Sequence, residues 1–552
     1  MEAMMAMTHG GAVHSFRAAS DLSLSSSNPS ITNYSSTQLC GSETRASRKP
    51  IILSSSRIRP SFCNGKEALC CTSFVRICSK SPHGWSTRRE RARVEVRASV
   101  AAEQMTGSGD GERSDGERSR SETGVVIVGA GLAGLAAARQ CVQDGIPFLL
   151  VEGSDGVGGR VRTDSYQGFL LDRGFQIFIT AYPEAQAVLD YEALNLQTFY
   201  AGALVWFNGA FHRVADPLRH FTDGLGSLFN PIGSAVDKVI VGIVRLRAAV
   251  KPVSEILSAD ETTILSRLKS EGFSEAMIDR FFRPFFGGIF FDRELQTTSR
   301  LFEFVFKCLA LGSNTLPAAG IGAIPQQMAD KLPRGSVMLN SRVAKLETDD
   351  NGVISGVVME NGGVVSAKYG VVIAAEGPEA ARLLGKKLPA SPSVEKPPRS
   401  TTCLYFSADS SPVSEPILLL NGTKSGIINN MFFPTTVAPS YAPAGKTLVS
   451  VTLIGQYENT PDSELEQTVR AELHSWFGAK VVDSWQHLRT YRIPLAQPHQ
   501  APPTMLQKEP RVEQGVYVCG DHRYSSTFDG ALVSGRRAVQ ELMADCKLSV
   551  SK

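Results

Sequence analysis

Three glycines, Gly129, Gly131 and Gly134, stand between a β-branched run and an alanine-rich stretch, and their spacing suits the holding of a diphosphate. Gly129 allows a tight turn, Gly131 lets a pyrophosphate approach the backbone, and Gly134 lets a helix pack closely on a strand. Leu132 and Ala133, between Gly131 and Gly134, are expected in the same cofactor-binding turn. The elements that must position this turn are readable on either side. The wholly apolar run 124–128 suits a buried parallel strand, and Leu135 to Gln143 has helical character that Gly145-Ile-Pro147 stops. A second strand, Phe148–Val151, ends in Glu152, where a carboxylate can accept bonds from ribose hydroxyls and would repel a 2′-phosphate. A dinucleotide other than NADP is therefore expected, with NAD and FAD both open on this segment alone.

The chain continues as Gly153-Ser-Asp-Gly156-Val-Gly158-Gly159-Arg160-Val-Arg162-Thr163 without starting a helix. Here it resembles the superfamily of flavin-containing amine oxidases, protoporphyrinogen oxidases and carotenoid desaturases, in which a GGR stretch follows the ribose-binding glutamate. The resemblance implies FAD, with Gly158, Gly159 and Arg160 near its phosphates and the segment Gly168 to Gly174 running toward the isoalloxazine. An arginine there is chemically apt, because backbone amides supply only part of the counter-charge that two phosphates need. A second stretch near the other end, Gly515-Val-Tyr-Val-Cys519-Gly520-Asp521 followed by Ser525 to Gly535, resembles the carboxy-terminal flavin motif of the same superfamily. It implies Asp521, preceded by Gly520, on the ribityl chain, and a helix N-terminus near Ala531 and Leu532 facing the flavin. Such a dipole stabilises negative charge on a reduced ring.

Between the two motifs, Val343 is implied as a backbone contact to the adenine. Asn351-Gly352 and Asn361-Gly362 mark hairpin turns, and Val371 to Ala375 reads as another buried strand. Glu376 follows it where relatives carry a small polar residue; it is either a solvated or capping acid or a group that tunes the site. No cysteine lies in the pattern used for covalent flavin attachment, so non-covalent FAD is expected. Cys519 reads as a small buried strand residue.

The resemblance implies an α/β chain, with a Rossmann-like FAD-binding domain of the GR2 type interleaved with an α+β substrate domain. Residues 124–205, 318–390 and 508–545 are assigned to the first, and 206–317 and 391–507 to the second. In the second, nine of the 27 phenylalanines fall within residues 281–306. Such a cluster reads either as core packing or as the wall of an apolar pocket. Pro284-Phe285-Phe286-Gly287-Gly288-Ile289 resembles the pocket-wall stretch of protoporphyrinogen oxidases and desaturases, and Tyr491 to Ala496 resembles the segment that lies over the flavin face.

The 552 residues exceed what one core comfortably holds. A formal net charge of +3 argues against a nucleic-acid binder. The charge is uneven: residues 1–98 hold 14 Lys+Arg against 6 Asp+Glu and 19 serines, with no long apolar run. That composition, ending in Val96-Arg97-Ala98-Ser99, resembles a cleavable chloroplast transit peptide. Residues 99–123, with the imperfect repeat Asp110 to Ser114 and Asp115 to Ser119, read as a solvated linker. Downstream cysteines 141, 308, 403, 519 and 546 are far apart and lack metal spacing, so neither a disulfide framework nor a metal centre is expected.

These features imply a plastid FAD-dependent oxidoreductase that removes hydride from an apolar small molecule and passes electrons to oxygen or a quinone. A desaturase- or isomerase-like enzyme on an isoprenoid ranks first, a tetrapyrrole oxidase second and an amine or polyamine oxidase third. A non-catalytic lipid- or protein-binding member of the fold is the alternative from another class. No catalytic acid, base or nucleophile is assigned. Peripheral membrane association is a further expectation, from the Phe-rich block and the helical stretch Ile240 to Val250. Its ordinary alternative is a buried helix face with snorkelling arginines.

Overall fold

The computed structural model describes residues 120–547 apart from 217–218, 221, 223, 225, 227–229 and 388–395. The leader expected at 1–98 and residues 99–119 of the linker lie outside the described residues.

The first sheet runs in the order Val337–Met338, Phe148–Val151, Arg120–Val128, Val364–Ile373, Ile354–Met359, Val343–Thr348, with Val516–Val518 pairing the far end of Val364–Ile373. Its centre is parallel, as buried β-branched runs require, and the meander 343–373 is antiparallel. Asn351-Gly352 and Asn361-Gly362 sit at the two turns of that meander. Helices Leu132–Asp144 and Phe528–Asp545 pack against each other beside the sheet. Gly145, in the left-handed region at φ 69°, ends the first of them.

The opening strand starts at Arg120, inside the stretch expected to be linker. Arg120 to Thr123 pair with Val364 to Ala367, and the Arg120 guanidinium meets Glu347 at 3.3 Å. The extension is exposed and held by backbone pairing, so its polar composition concealed it.

The second sheet has seven strands in the order Gln486–Gln497, Arg399–Ala408, Thr447–Ile454, Ile428–Phe432, Leu418–Asn421, Gly202–Phe207, Ala210–Ala215. The boundary expected at 205 falls inside Gly202–Phe207, which pairs in parallel with Leu418–Asn421 and so belongs to this sheet. Helix Asp462–Phe477 covers its outer face through Leu465, Val469, Leu473 and Trp476. The inner face meets the helical segment 278–290.

The Phe-rich block divides between both of its readings. Phe282, Phe286 and Phe290, one helical turn apart, are buried in the core, with Phe286 packed edge-on to Phe302 at 4.9 Å. Phe285 and Ile289, on another face of helix Arg283–Phe290, line the cavity instead.

Helix Ala235–Val250 departs from the buried-face expectation. Arg245 pairs with Asp216 and Arg247 with Glu271, each at 2.8 Å. Val236, Val239, Ile243, Leu246 and Val250 are 51–74% exposed along one stripe. Among the described residues no helix is long and apolar enough to cross a membrane.

Candidate functional site

One cavity of about 810 Å³ runs from the carboxyl ends of the parallel strands into the space between the two sheets. Of the residues singled out in the sequence, Gly129, Gly131, Leu132, Ala133, Glu152, Gly158, Gly159, Arg160, Gly174, Val343, Gly520, Asp521 and Ala531 line it. Gly134 and Leu532 do not. Gly134 is the packing contact: a Cβ there would stand 1.9 Å from the Gly129 carbonyl oxygen. Leu532 is 1% exposed and buried between helix and sheet.

The glycine turn is built as a diphosphate requires. Gly129 holds φ at +102°, a Cβ on Gly131 would meet nothing within 4 Å, and Gly158 donates to the Ala130 carbonyl at 2.8 Å. The open side of Gly131 and the positive end of helix Leu132–Asp144 therefore face the cavity without obstruction. Glu152 accepts from the Ala130 and Ser154 amides at 2.7 and 2.9 Å, which fixes its carboxylate and leaves lone pairs for ribose hydroxyls. Arg382, which sequence reading missed, donates to the carbonyls of Val343 and Ala344 and holds that end of the groove. Its helical segment follows Glu376, and nothing local marked it.

Arg160 joins three segments. Its guanidinium is 2.8 Å from Asp521, 3.7 Å from Glu376 and 2.7 Å from the Ala496 carbonyl oxygen. Burial alone would raise the Asp521 carboxyl, but Arg160 outweighs it and holds Asp521 below the usual carboxylate range. Glu376 is pushed up, by burial first, with Arg160 partly offsetting that. Glu376 occupies the N-cap position of helix Gly377–Leu384 but makes no side-chain capping bond, so it faces the groove rather than serving the helix. His522, next to Asp521, is pushed down to about 4 by burial and is neutral near pH 7; the counter-charge to Asp521 is Arg160. Cys519 is fully buried and its thiol is pushed up to about 12.

The other half of the cavity is apolar. Phe175, Ile177, Pro284, Phe285, Ile289, Phe291, Leu418, Leu420, Ile493 and Leu495 form most of its wall. The carboxylates on the cavity wall, Glu152, Glu376, Glu379 and Asp521, all come from segments attached to the first sheet. Gln497 ties strand Gln486–Gln497 to helix Arg283–Phe290 by donating to the Ile289 carbonyl at 2.8 Å. The hairpin Thr163–Tyr166 and Phe169–Asp172 joins the two halves through Asp172. That carboxylate is 4% exposed and accepts from Thr163, the Ile321 amide and Tyr441 at 2.6, 3.0 and 2.9 Å. Burial pushes it up to about 6 despite those donors. Among the described residues no group of three or more His, Cys, Asp or Glu is placed to hold a metal.

A family model for flavin containing amine oxidoreductases matches residues 132–543. The chloroplastic/chromoplastic 15-cis-phytoene desaturase of Narcissus pseudonarcissus is 21% identical over 466 residues, covering 78% of this chain and 80% of that one. A putative protoporphyrinogen oxidase from Exiguobacterium sp. 255-15 shares the fold at TM-score 0.56 and 16% identity, covering 78% of this chain and 99% of that one. Putrescine oxidase bound to putrescine does so at TM-score 0.55 and 16% identity, covering 77% and 100%. The chain belongs to the flavin containing amine oxidoreductase family and is an FAD-dependent oxidoreductase.

Proposed function

We propose that the protein is a plastid enzyme that removes hydride from an apolar isoprenoid and passes the electrons to oxygen or a quinone. The observation that carries this reading is the second half of the cavity, where the strands and helices of the second domain contribute aromatic and aliphatic side chains and no carboxylate. An amine cation would enter that space without a counter-charge, at a desolvation cost of several kcal/mol. A tetrapyrrole bearing several carboxylates would need cations there, and the nearby Arg173 is already engaged by Asp164 at 2.9 Å.

The glycine turn, Glu152, Arg160, Val343 and Asp521 would hold FAD without a covalent link. When bound, FAD supplies the hydride acceptor. Arg160 meets negative charge on the nucleotide side, and its bond to the Ala496 carbonyl positions strand Gln486–Gln497 over the cavity. Positive potential at the N-terminus of helix Phe528–Asp545, where the Gly530 amide donates to the Thr527 hydroxyl at 3.0 Å, would stabilise negative charge on a bound flavin. Phe175, Phe285 and Ile493 exclude water. Forming a double bond removes a hydride and a proton together, the proton going finally to solvent, and neither departure calls for a covalent nucleophile.

The exposed apolar stripe of helix Ala235–Val250 supports peripheral attachment to a lipid surface, and the chloroplastic relatives together with the Ser/Arg-rich leader support import into a plastid. Metabolite profiling of a loss-of-function line, with isoprenoid pigments, tetrapyrroles and polyamines measured together, tests the function. Accumulation of an isoprenoid precursor is the expected result. A change confined to tetrapyrroles or polyamines would overturn it.

A further inference from the structure

One polar group in the apolar half has no partner. Among the described residues, buried side-chain nitrogen or oxygen atoms without a hydrogen-bond partner occur on Glu261, Asp292, Arg399, Asn430, Thr452, His522 and Arg523, and of these only Asn430 lines the cavity. It is 1% exposed.

Its orientation is fixed by its neighbours. The Asn429 amide nitrogen donates to the Pro284 carbonyl at 2.9 Å and to Asn430 Oδ1 at 2.9 Å. Flipping Asn430 would set two donors against each other, so its Nδ2 is left without a partner. A bulge puts this pair together. Ile428 and Asn430 oppose Leu453 and Thr452, so Asn429 is an extra residue in strand Ile428–Phe432, and a bulge re-aims the side chains beside it. Gly288, across from the pair, keeps the approach open: a Cβ there would lie 2.8 Å from Asn429 Nδ2 and 3.1 Å from Asn430 Oδ1.

An amide N–H buried without an acceptor is costly, and the surrounding wall is hydrocarbon. We infer that the substrate is an oxygenated isoprenoid rather than a pure hydrocarbon, and that a carbonyl or hydroxyl oxygen on it accepts from Asn430 Nδ2. The inference rests on the apolar-substrate reading and narrows it. Asn430 is then the residue that sets the substrate's position along the cavity.

Difference spectra of the flavin in the holoenzyme, titrated with a four-isoprene hydrocarbon and with the same chain carrying one ketone, test this. Wild type is expected to bind the ketone about tenfold more tightly, the worth of one hydrogen bond in an apolar site. Asn430→Leu is expected to remove that preference while leaving hydrocarbon binding within about twofold. The wild-type comparison stands alone should the variant fail to fold. Equal binding of the two chains by wild type would overturn the inference. Tighter binding of a prenyl quinone than of the ketone would overturn it too, by placing the oxygen on the electron acceptor. Binding of neither chain would overturn the apolar-substrate reading itself.

Discussion

The half of the cavity proposed for the nucleotide is walled by backbone and charge, the half proposed for the substrate by side chains from separated segments. In the first, the Gly129 and Gly158 amides fix the turn by donating to the Val151 and Ala130 carbonyls, Gly131 leaves open room beside the backbone, and Arg160 is shared between Asp521 and Glu376. In the second, Phe285, Leu420 and Ile493 come from a helix and two non-adjacent strands of the second sheet, far apart in sequence. Backbone sites tolerate almost no change at their glycines, whereas apolar walls tolerate swaps of similar volume. Cofactor identity is therefore rigidly encoded, and substrate identity lies in details of lining.

The strongest way to break this contrast is Gly134→Ala. The new Cβ would collide with the Gly129 carbonyl, so strand and helix must part, and we expect on the order of 4 kcal/mol lost in denaturant melts together with the bound flavin. If the variant keeps its flavin, the glycine turn is softer than described.

Asp172→Asn probes the joint between the halves. Its carboxyl stands at about 6 in the folded chain, above its unfolded value, so the native state holds the extra proton. The stability this gives is present below about pH 4 and is lost as pH rises toward 6. Wild type should therefore weaken between pH 4 and 6 relative to Asp172→Asn, by no more than about 3 kcal/mol in urea melts. Parallel curves would show that the carboxylate is not strained by burial.

Arg160→Ala sharpens the contrast from the nucleotide side. Flavin affinity, read by fluorescence titration, should fall roughly tenfold to a hundredfold, since charge-assisted bonds contribute about 1.5–3 kcal/mol. Ile289→Asp does so from the other side and should have the smallest effect on the cofactor. Binding of an apolar ligand should fall by about tenfold or more while flavin affinity stays unchanged. Loss of flavin in that variant would mean the halves are not separable.

The two halves also differed in how far the sequence revealed them. The glycine turn, Glu152, Arg160 and Asp521 were recognisable because each acts through local spacing or through a short motif next to a strand. The helix N-terminus near Ala531 and Leu532 was expected to face the flavin; Ala531 lines the cavity while the Leu532 side chain is buried, a distinction that depends on the rotation of one helix. Asn430 carried a faint signal, since Asn429-Asn430 interrupts an otherwise apolar strand, but only the bulge explains why both are there. The strand extension at Arg120 and the sheet change at Gly202 were hidden because backbone pairing, not side-chain pattern, decides them.

The central claim, that this FAD-dependent oxidoreductase acts on an apolar isoprenoid, is tested most directly by anaerobic mixing of the purified holoenzyme with isoprenoid, tetrapyrrole and putrescine in turn. The flavin band at ~450 nm should bleach with the isoprenoid and persist with putrescine. Bleaching by putrescine, with the isoprenoid inert, would contradict the account.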